Sequence, residues 1–191
     1  MTTIECLVKG CVAHDVKCQQ LFYERYYNYV FRIAFRYIYQ YNSIANVVND
    51  GFVKLFQNIG SFAGNTSTVD ESLLLAWIKK NIVTVIINEL LRNNLIGRST
   101  DNRKEVCETT SQNKNAIENS SAKQLILHLK SLPSSYNVVF NMFVIDGFSH
   151  REIAALLHIT VDASNTNLVN ARNCLQKLVT KESVYSTALS F

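Results

Sequence analysis

Pro133 is the only proline in the 191-residue chain, and glycine occurs just six times. These two residues supply most of the interruptions in folded chains, so long stretches here contain nothing that would break a helix. Apolar side chains recur at steps of three and four instead of alternating, which excludes a sheet-based reading. The chain is expected to be all-α, built as two small helical domains joined by a polar linker.

The periodicity places the elements. Between Leu21 and Tyr41, the apolar set Phe22, Tyr26, Tyr29, Ile33, Tyr37 and Ile38 predicts a long helix with an aromatic buried face, leaving Arg25, Arg32 and Arg36 on solvated faces. A second helix is expected over about Ser43 to Ile59, striped by Ile44, Val47, Val48, Phe52, Leu55 and Phe56. The Gly/Asn/Ser/Thr-rich run "GSFAGNTSTVD" then reads as a loop, ending in Asp70, whose carboxylate can accept from the first N–H groups of a third helix over about Glu71 to Arg92. That helix carries Leu74, Trp77, Ile78, Ile82, Val85, Ile86 and Leu90. Past this point, "NNLIGRSTDNRKEVCETTSQNKNAIENSS" has too few large apolar residues to form a core. The resulting division is a first domain over residues 1–93, a flexible linker over 94–121 and a second domain over 122–182.

With 48% hydrophobic residues, the chain has enough apolar surface for both cores. Nineteen basic against fifteen acidic residues give a net charge of +4, which permits a polyanionic partner without requiring one. The most apolar stretch, Leu73 to Leu91, is interrupted by Lys79, Lys80, Asn88 and Glu89, so no membrane insertion is expected. The start "MTTIECLVKGCVAHD" lacks the basic and apolar segments of a secretory leader, and a cytoplasmic location follows as the expectation. Five cysteines suit a reducing compartment. Cys6, Cys11, His14 and Cys18 cluster, but their spacing is irregular for zinc, and small buried thiols are the expectation in place of a metal site. No HExxH or phosphate-cradling glycine loop is present and the histidines are scattered, so neither catalysis nor a cofactor is expected.

The most informative motif lies near the C-terminal end. In "HREIAALLHITVDASNTNLVNAR", Ser149 and Glu152 form a capping-box pattern, and Asp146-Gly147 just before them supplies a turn. Ile153, Ala154, Leu156 and Leu157 form an inner face, with Ala154 small where a second helix would cross. Thr160 can cap that second helix, whose Leu168, Ala171 and Leu175 or Leu178 face inward. Two such helices joined by three or four residues have the layout of a DNA-reading helix-turn-helix, although an ordinary helical hairpin shares the same pattern. The second helix is unusual, because Ile159 to Ala171 contains three asparagines and no basic residue.

Context makes the resemblance specific. "SLPSSYNVVFNMFVIDGFSHREIAALLHIT" followed by "LVNARNCLQKL" resembles region 4 of extracytoplasmic-function sigma factors, the small two-domain members of the sigma-70 family. "LFYERYYNYVFRIAFRYI" and "VVNDGFVKLFQNIGSF" resemble the first two helices of sigma region 2, and "AWIKKNIVTVIINELLRNN" resembles the third. The similarity runs in order along nearly the whole chain. It implies a promoter-specificity subunit of RNA polymerase. In that family, region 2 docks on the polymerase clamp and opens the minus-10 element, while region 4 reads the minus-35 element and packs on the flap. Implied partners are core RNA polymerase, promoter DNA and an anti-sigma factor, with the free protein a monomer. The competing reading is a sigma-like adaptor that binds polymerase or an anti-sigma factor without productive promoter recognition.

The resemblance also assigns residues. Asn46, Asn49, Asp50 and Phe52 fall on the clamp-docking helix, where the family usually carries acidic or Gln residues at the positions of Asn46 and Asn49; Phe52 also fits the apolar stripe. The loop Ser61 to Thr68 corresponds to the place where the family captures a flipped base, offering Phe62 and Asn65, and Lys79, Lys80, Arg92 and Trp77 match positions of the third helix. As a lone Trp on an apolar stripe, Trp77 equally suits the core. For the minus-35 element the candidates are Ser149, Arg151, Asn165, Thr166, Asn167, Val169, Asn170 and Arg172. Family members often have Lys or Arg where Asn165 and Asn170 stand, and each lost phosphate contact would flatten the salt dependence by about 0.9 log units. Asn pairs bidentately with adenine, so an adenine-containing minus-35 element is expected. His158 stands where the turn often has Gly, and is expected to be a strained left-handed residue.

Overall fold

The computed structural model describes residues 3–38, 41–65, 70–96 and 121–188. Among the described residues there is no strand; the elements are eight α-helices and one π-helical turn. Contacts divide the chain into two units, Met1–Leu90 and Leu91–Phe191.

In the first unit, α1 (Ile4–Val12) is capped by Thr3, and α2 (Val16–Tyr37) by Asp15, whose carboxylate accepts from the Lys17 and Cys18 amides. The sequence pattern did not single out α1. It packs on α2 and α3 (Tyr41–Asn65) through Leu7, Val8 and Cys11. Helix α2 buries Phe22, Tyr26, Val30, Ile33, Ala34 and Tyr37; Arg25 and Arg32 are exposed, whereas Arg36 is half-buried and not on a solvated face.

Helix α4 (Glu71–Arg92) starts at Asp70, as its sequence suggested: the Ser72 hydroxyl, with help from the first backbone amides of the helix, holds the Asp70 carboxyl below its usual range. Its buried face includes Val83 and Ile87 beside the expected Leu74, Ile78, Ile82, Ile86 and Leu90, while Trp77 and Val85 are half-buried. Gly51 allows α3 and α4 to cross closely, since a Cβ there would stand 2.6 Å from the Ile82 Cδ1. The Arg25–Glu71 ion pair (2.7 Å) and the bond from the Tyr29 hydroxyl to the Leu75 carbonyl (3.3 Å) tie α4 to α2.

The cysteines only partly follow the expectation. Cys11 is fully buried, and burial pushes its thiol up to about 11, so it stays protonated at neutral pH. Cys6 is exposed, because it lies on the outer side of α1. Among the described residues, no three His, Cys, Asp or Glu side chains come together as a metal-binding group.

In the second unit, α5 (Ser121–Lys130) and α6 (Ser134–Phe140) are separated by a turn containing Pro133. Helix α6 runs into a π-helical turn, Asn141–Ile145, that the periodicity did not reveal. Two buried asparagines support this segment: Asn137 donates to the Leu129 carbonyl (2.6 Å), and Asn141 donates to the Asn137 carbonyl (3.0 Å). Helices α7 (His150–Leu157) and α8 (Val161–Ala188) follow. Leu129, Leu132, Tyr136, Ala171, Cys174 and Leu175 form a core cluster in which α5, α6 and α8 meet.

Candidate nucleic-acid interface

Local chemistry fixes both ends of α7. The Ser149 hydroxyl accepts from the Glu152 amide (3.3 Å) while the Glu152 carboxylate accepts from the Ser149 amide (3.0 Å), a closed capping box. Gly147, at φ +79, makes the preceding turn. At the other end His158 takes the left-handed conformation, φ 56 and ψ 41, and its amide donates to the Ala154 carbonyl. Three residues, His158 to Thr160, then separate the helices; the Thr160 hydroxyl accepts from the Ala163 amide (3.0 Å), capping α8.

Ile153, Ala154 and Leu157 of α7 and Leu168 and Ala171 of α8 are buried, whereas Leu156 is only half-buried. A second link is polar. His150 Nδ1 lies 2.9 Å from the Ser164 hydroxyl, and the His150 ring stacks on Phe143 at 4.2 Å.

This packing turns one strip of α8 to solvent. Asp162, Asn165, Thr166, Val169, Arg172, Asn173 and Gln176 are all exposed and recur at steps of three and four, which places them on one face. Val169, 53% exposed, lies along the middle of this strip. Asp162, Asn173 and Gln176 were not singled out from the sequence, although their spacing from Asn165 and Val169 was sufficient to find them. Arg151 is exposed on α7, and the Ser149 side chain is occupied by the capping box.

Two expected reading positions lie elsewhere. Asn167 is half-buried. Asn170, also half-buried, donates its side-chain amide to the Tyr136 hydroxyl of α6 (3.4 Å) and is not an outward residue. Asn165 remains outward, with its amide nitrogen donating to the Val161 carbonyl (3.2 Å).

In the first unit, Asn46, Asn49 and Asp50 are exposed on α3, beside Val53 and Lys54. Asn49 accepts from the Tyr23 hydroxyl at 3.2 Å. Phe52 is 2% exposed, with its ring 4.4 Å from that of Tyr23, so it is a core side chain and not part of this exposed face. The loop expected from Ser61 starts later than the sequence suggested. Helix α3 continues through Asn65 because Phe62 extends the apolar stripe of Leu55 and Ile59. Phe62 is buried against Trp77 at 5.1 Å and is not a loop residue available for stacking. Residues 66–69 and the Asn65 side chain lie outside the described residues. Lys79 is half-buried; Lys80 and Arg92 are exposed.

Comparison with known proteins agrees with this geometry. Residues 123–175, which contain the helix pair and its supporting helices, match the family described as sigma-70, region 4. The chain is 23% identical over 190 residues to the ECF RNA polymerase sigma-E factor of Haemophilus influenzae, covering 93% of this chain and 95% of that protein. It is 23% identical over 187 residues to the protein of the same name from Escherichia coli (strain K12), covering 93% and 94%. The solved structure described as "Structure of CnrH in complex with the cytosolic domain of CnrY" is similar at 16% identity, 93% and 97% coverage and a TM-score of 0.49.

The second unit is thus a sigma-type helix-turn-helix domain. Along nearly its whole length the chain is similar to extracytoplasmic-function sigma factors, and residues 123–175 match the sigma-70 region 4 family. Sigma factors are not enzymes. Among the described residues, no helix is long and apolar enough to cross a membrane.

Proposed function

We propose that this protein is a sigma subunit that binds core RNA polymerase and directs initiation at a specific set of promoters. The exposed strip of α8 carries this reading: a capped helix pair with a three-residue turn holds out a face of amide, hydroxyl and apolar side chains suited to base edges in the major groove. Asn165, Thr166, Val169 and Arg172 are the proposed minus-35 contacts, joined by Asp162 and Asn173. Arg151, at the start of α7, would meet the phosphate backbone.

Few cations line this strip, so the domain's own affinity for DNA should be low. Attachment to polymerase through the exposed α3 face of Asn46, Asn49 and Asp50 compensates, because tethering converts the minus-35 contact into an intramolecular event. Lys79, Lys80 and Arg92 on α4 are the cations proposed for the melted minus-10 strand. Phe62 would take part only if it left its packing on Trp77. An anti-sigma factor is a further proposed partner, and a cytoplasmic location follows from work on chromosomal promoters.

Run-off transcription tests the reading. Core polymerase from the encoding organism, given this protein and a fragmented genomic library, should initiate at discrete sites sharing upstream elements. Transcripts no different from those of core polymerase alone would rule it out.

A further inference from the structure

We propose that His150 is a positioning residue that sets the angle of the recognition helix through Ser164. This rests on the sigma-factor reading above and deepens it. Ser164, the fourth residue of α8, is fully buried, so its hydroxyl needs a partner within the protein. The His150 Nδ1, from the first residue of α7, supplies that partner at 2.9 Å. The imidazole is itself oriented by Phe143 of the π-helical turn, whose ring lies 4.2 Å away at an interplanar angle of 22°. Three successive elements therefore meet at one side chain.

Helices α7 and α8 pack on each other, and the other side chains they bury, among them Ile153, Ala154, Leu157, Leu168 and Ala171, are apolar. Apolar contact is non-directional and tolerates small rotations, whereas a hydrogen bond weakens steeply as its geometry departs from linear. The His150–Ser164 bond thus selects one crossing angle from those the apolar surfaces permit. That angle matters because Arg151 on α7 and the Asn165–Val169–Arg172 strip on α8 must engage one duplex together, the first setting register and the second reading bases. Without His150, the Ser164 hydroxyl can turn to the Thr160 carbonyl one turn earlier, a bond open to any helical serine. Loss of the brace then leaves a folded domain with a loosened angle.

The test uses the full-length protein with core polymerase on a matched promoter and on versions carrying single minus-35 mismatches. Wild type should discriminate by about tenfold per mismatch. His150→Ala and Ser164→Ala should each reduce this to about twofold, and the double variant should be no worse than either alone. His150→Asn, which keeps a hydrogen-bonding group near the Nδ1 position, should recover part of the discrimination. Ser164→Ala places a small apolar group at a buried site and keeps the test informative if His150→Ala fails to fold. Tenfold discrimination retained in Ser164→Ala, with only a lower melting temperature, would show a packing role and overturn the proposal. So would additive losses in the double variant. A wild-type protein that initiates specifically but ignores the minus-35 sequence overturns the brace alone, whereas one that does not initiate removes the sigma reading as well.

Discussion

Asn170 reaches from α8 to α6, where its side-chain amide donates to the hydroxyl of Tyr136. Asn165, five residues earlier, faces solvent and bonds only within its own helix. Two residues of the same type on one helix therefore stand in different settings, one tied to a neighbouring helix and one turned to solvent on the face proposed to read DNA.

This difference separates their mutational effects. Asn165→Ala should leave the melting temperature nearly unchanged but relax the preference at one minus-35 position, a loss of about 1 to 3 kcal/mol of discrimination if it pairs with adenine. Asn170→Ala should lower stability by about 1 kcal/mol, the usual net value of a hydrogen bond, and leave the preferred sequence unchanged. Thermal melting and selection from a randomised minus-35 library check both outcomes. An altered preference from Asn170→Ala would return it to the reading face.

Val169 lies among polar neighbours and has little to gain from water. Apolar side chains on recognition helices contact the C5-methyl group of thymine, so a thymine is expected beneath Val169. Replacing that thymine by deoxyuridine removes one methyl group and should reduce initiation about fourfold, in line with roughly 0.8 kcal/mol per buried carbon. Val169→Ala should make the two templates equivalent. A wild-type protein indifferent to deoxyuridine at every minus-35 position would rule out the contact.

His158 holds a left-handed backbone with a side chain that is exposed. The conformation costs a residue with a Cβ about 1 kcal/mol or more, and glycine avoids this cost. His158→Gly should raise stability by roughly that amount in chemical denaturation without changing promoter preference. A destabilised variant would mean that the imidazole contributes more than the backbone strain removes.

The helix-turn-helix was legible because its determinants are local. Ser149 and Glu152 are three residues apart, Thr160 caps the helix that begins at the next residue, and His158 is confined by the turn between them. The position of Asp70 at the head of α4 was readable for the same reason. Features that depend on a distant partner were not. Phe62 reads as part of a loop until Trp77 is brought against it, and Asn170 reads as a surface residue until Tyr136 arrives from another helix. Ser164 is the extreme case, since a serine on a polar-looking helix gives no sign that it will be fully buried against His150. The π-helical turn was hidden because its apolar residues continue the helical spacing of α6.

That turn amounts to one residue more than an α-helix would use over the same span. One residue corresponds to about 100° of rotation around a helix axis, so the residues after the turn are rotated about that axis by this amount relative to an uninterrupted α-helix. Removing a single codon within 141–145 would restore a regular helix, aim the start of α7 away from Ser164 and misalign every contact downstream. The heading of the face proposed to read DNA is thus tied to a one-residue offset in the helix before it, where a deletion is expected to alter promoter choice without touching any of the proposed contact residues.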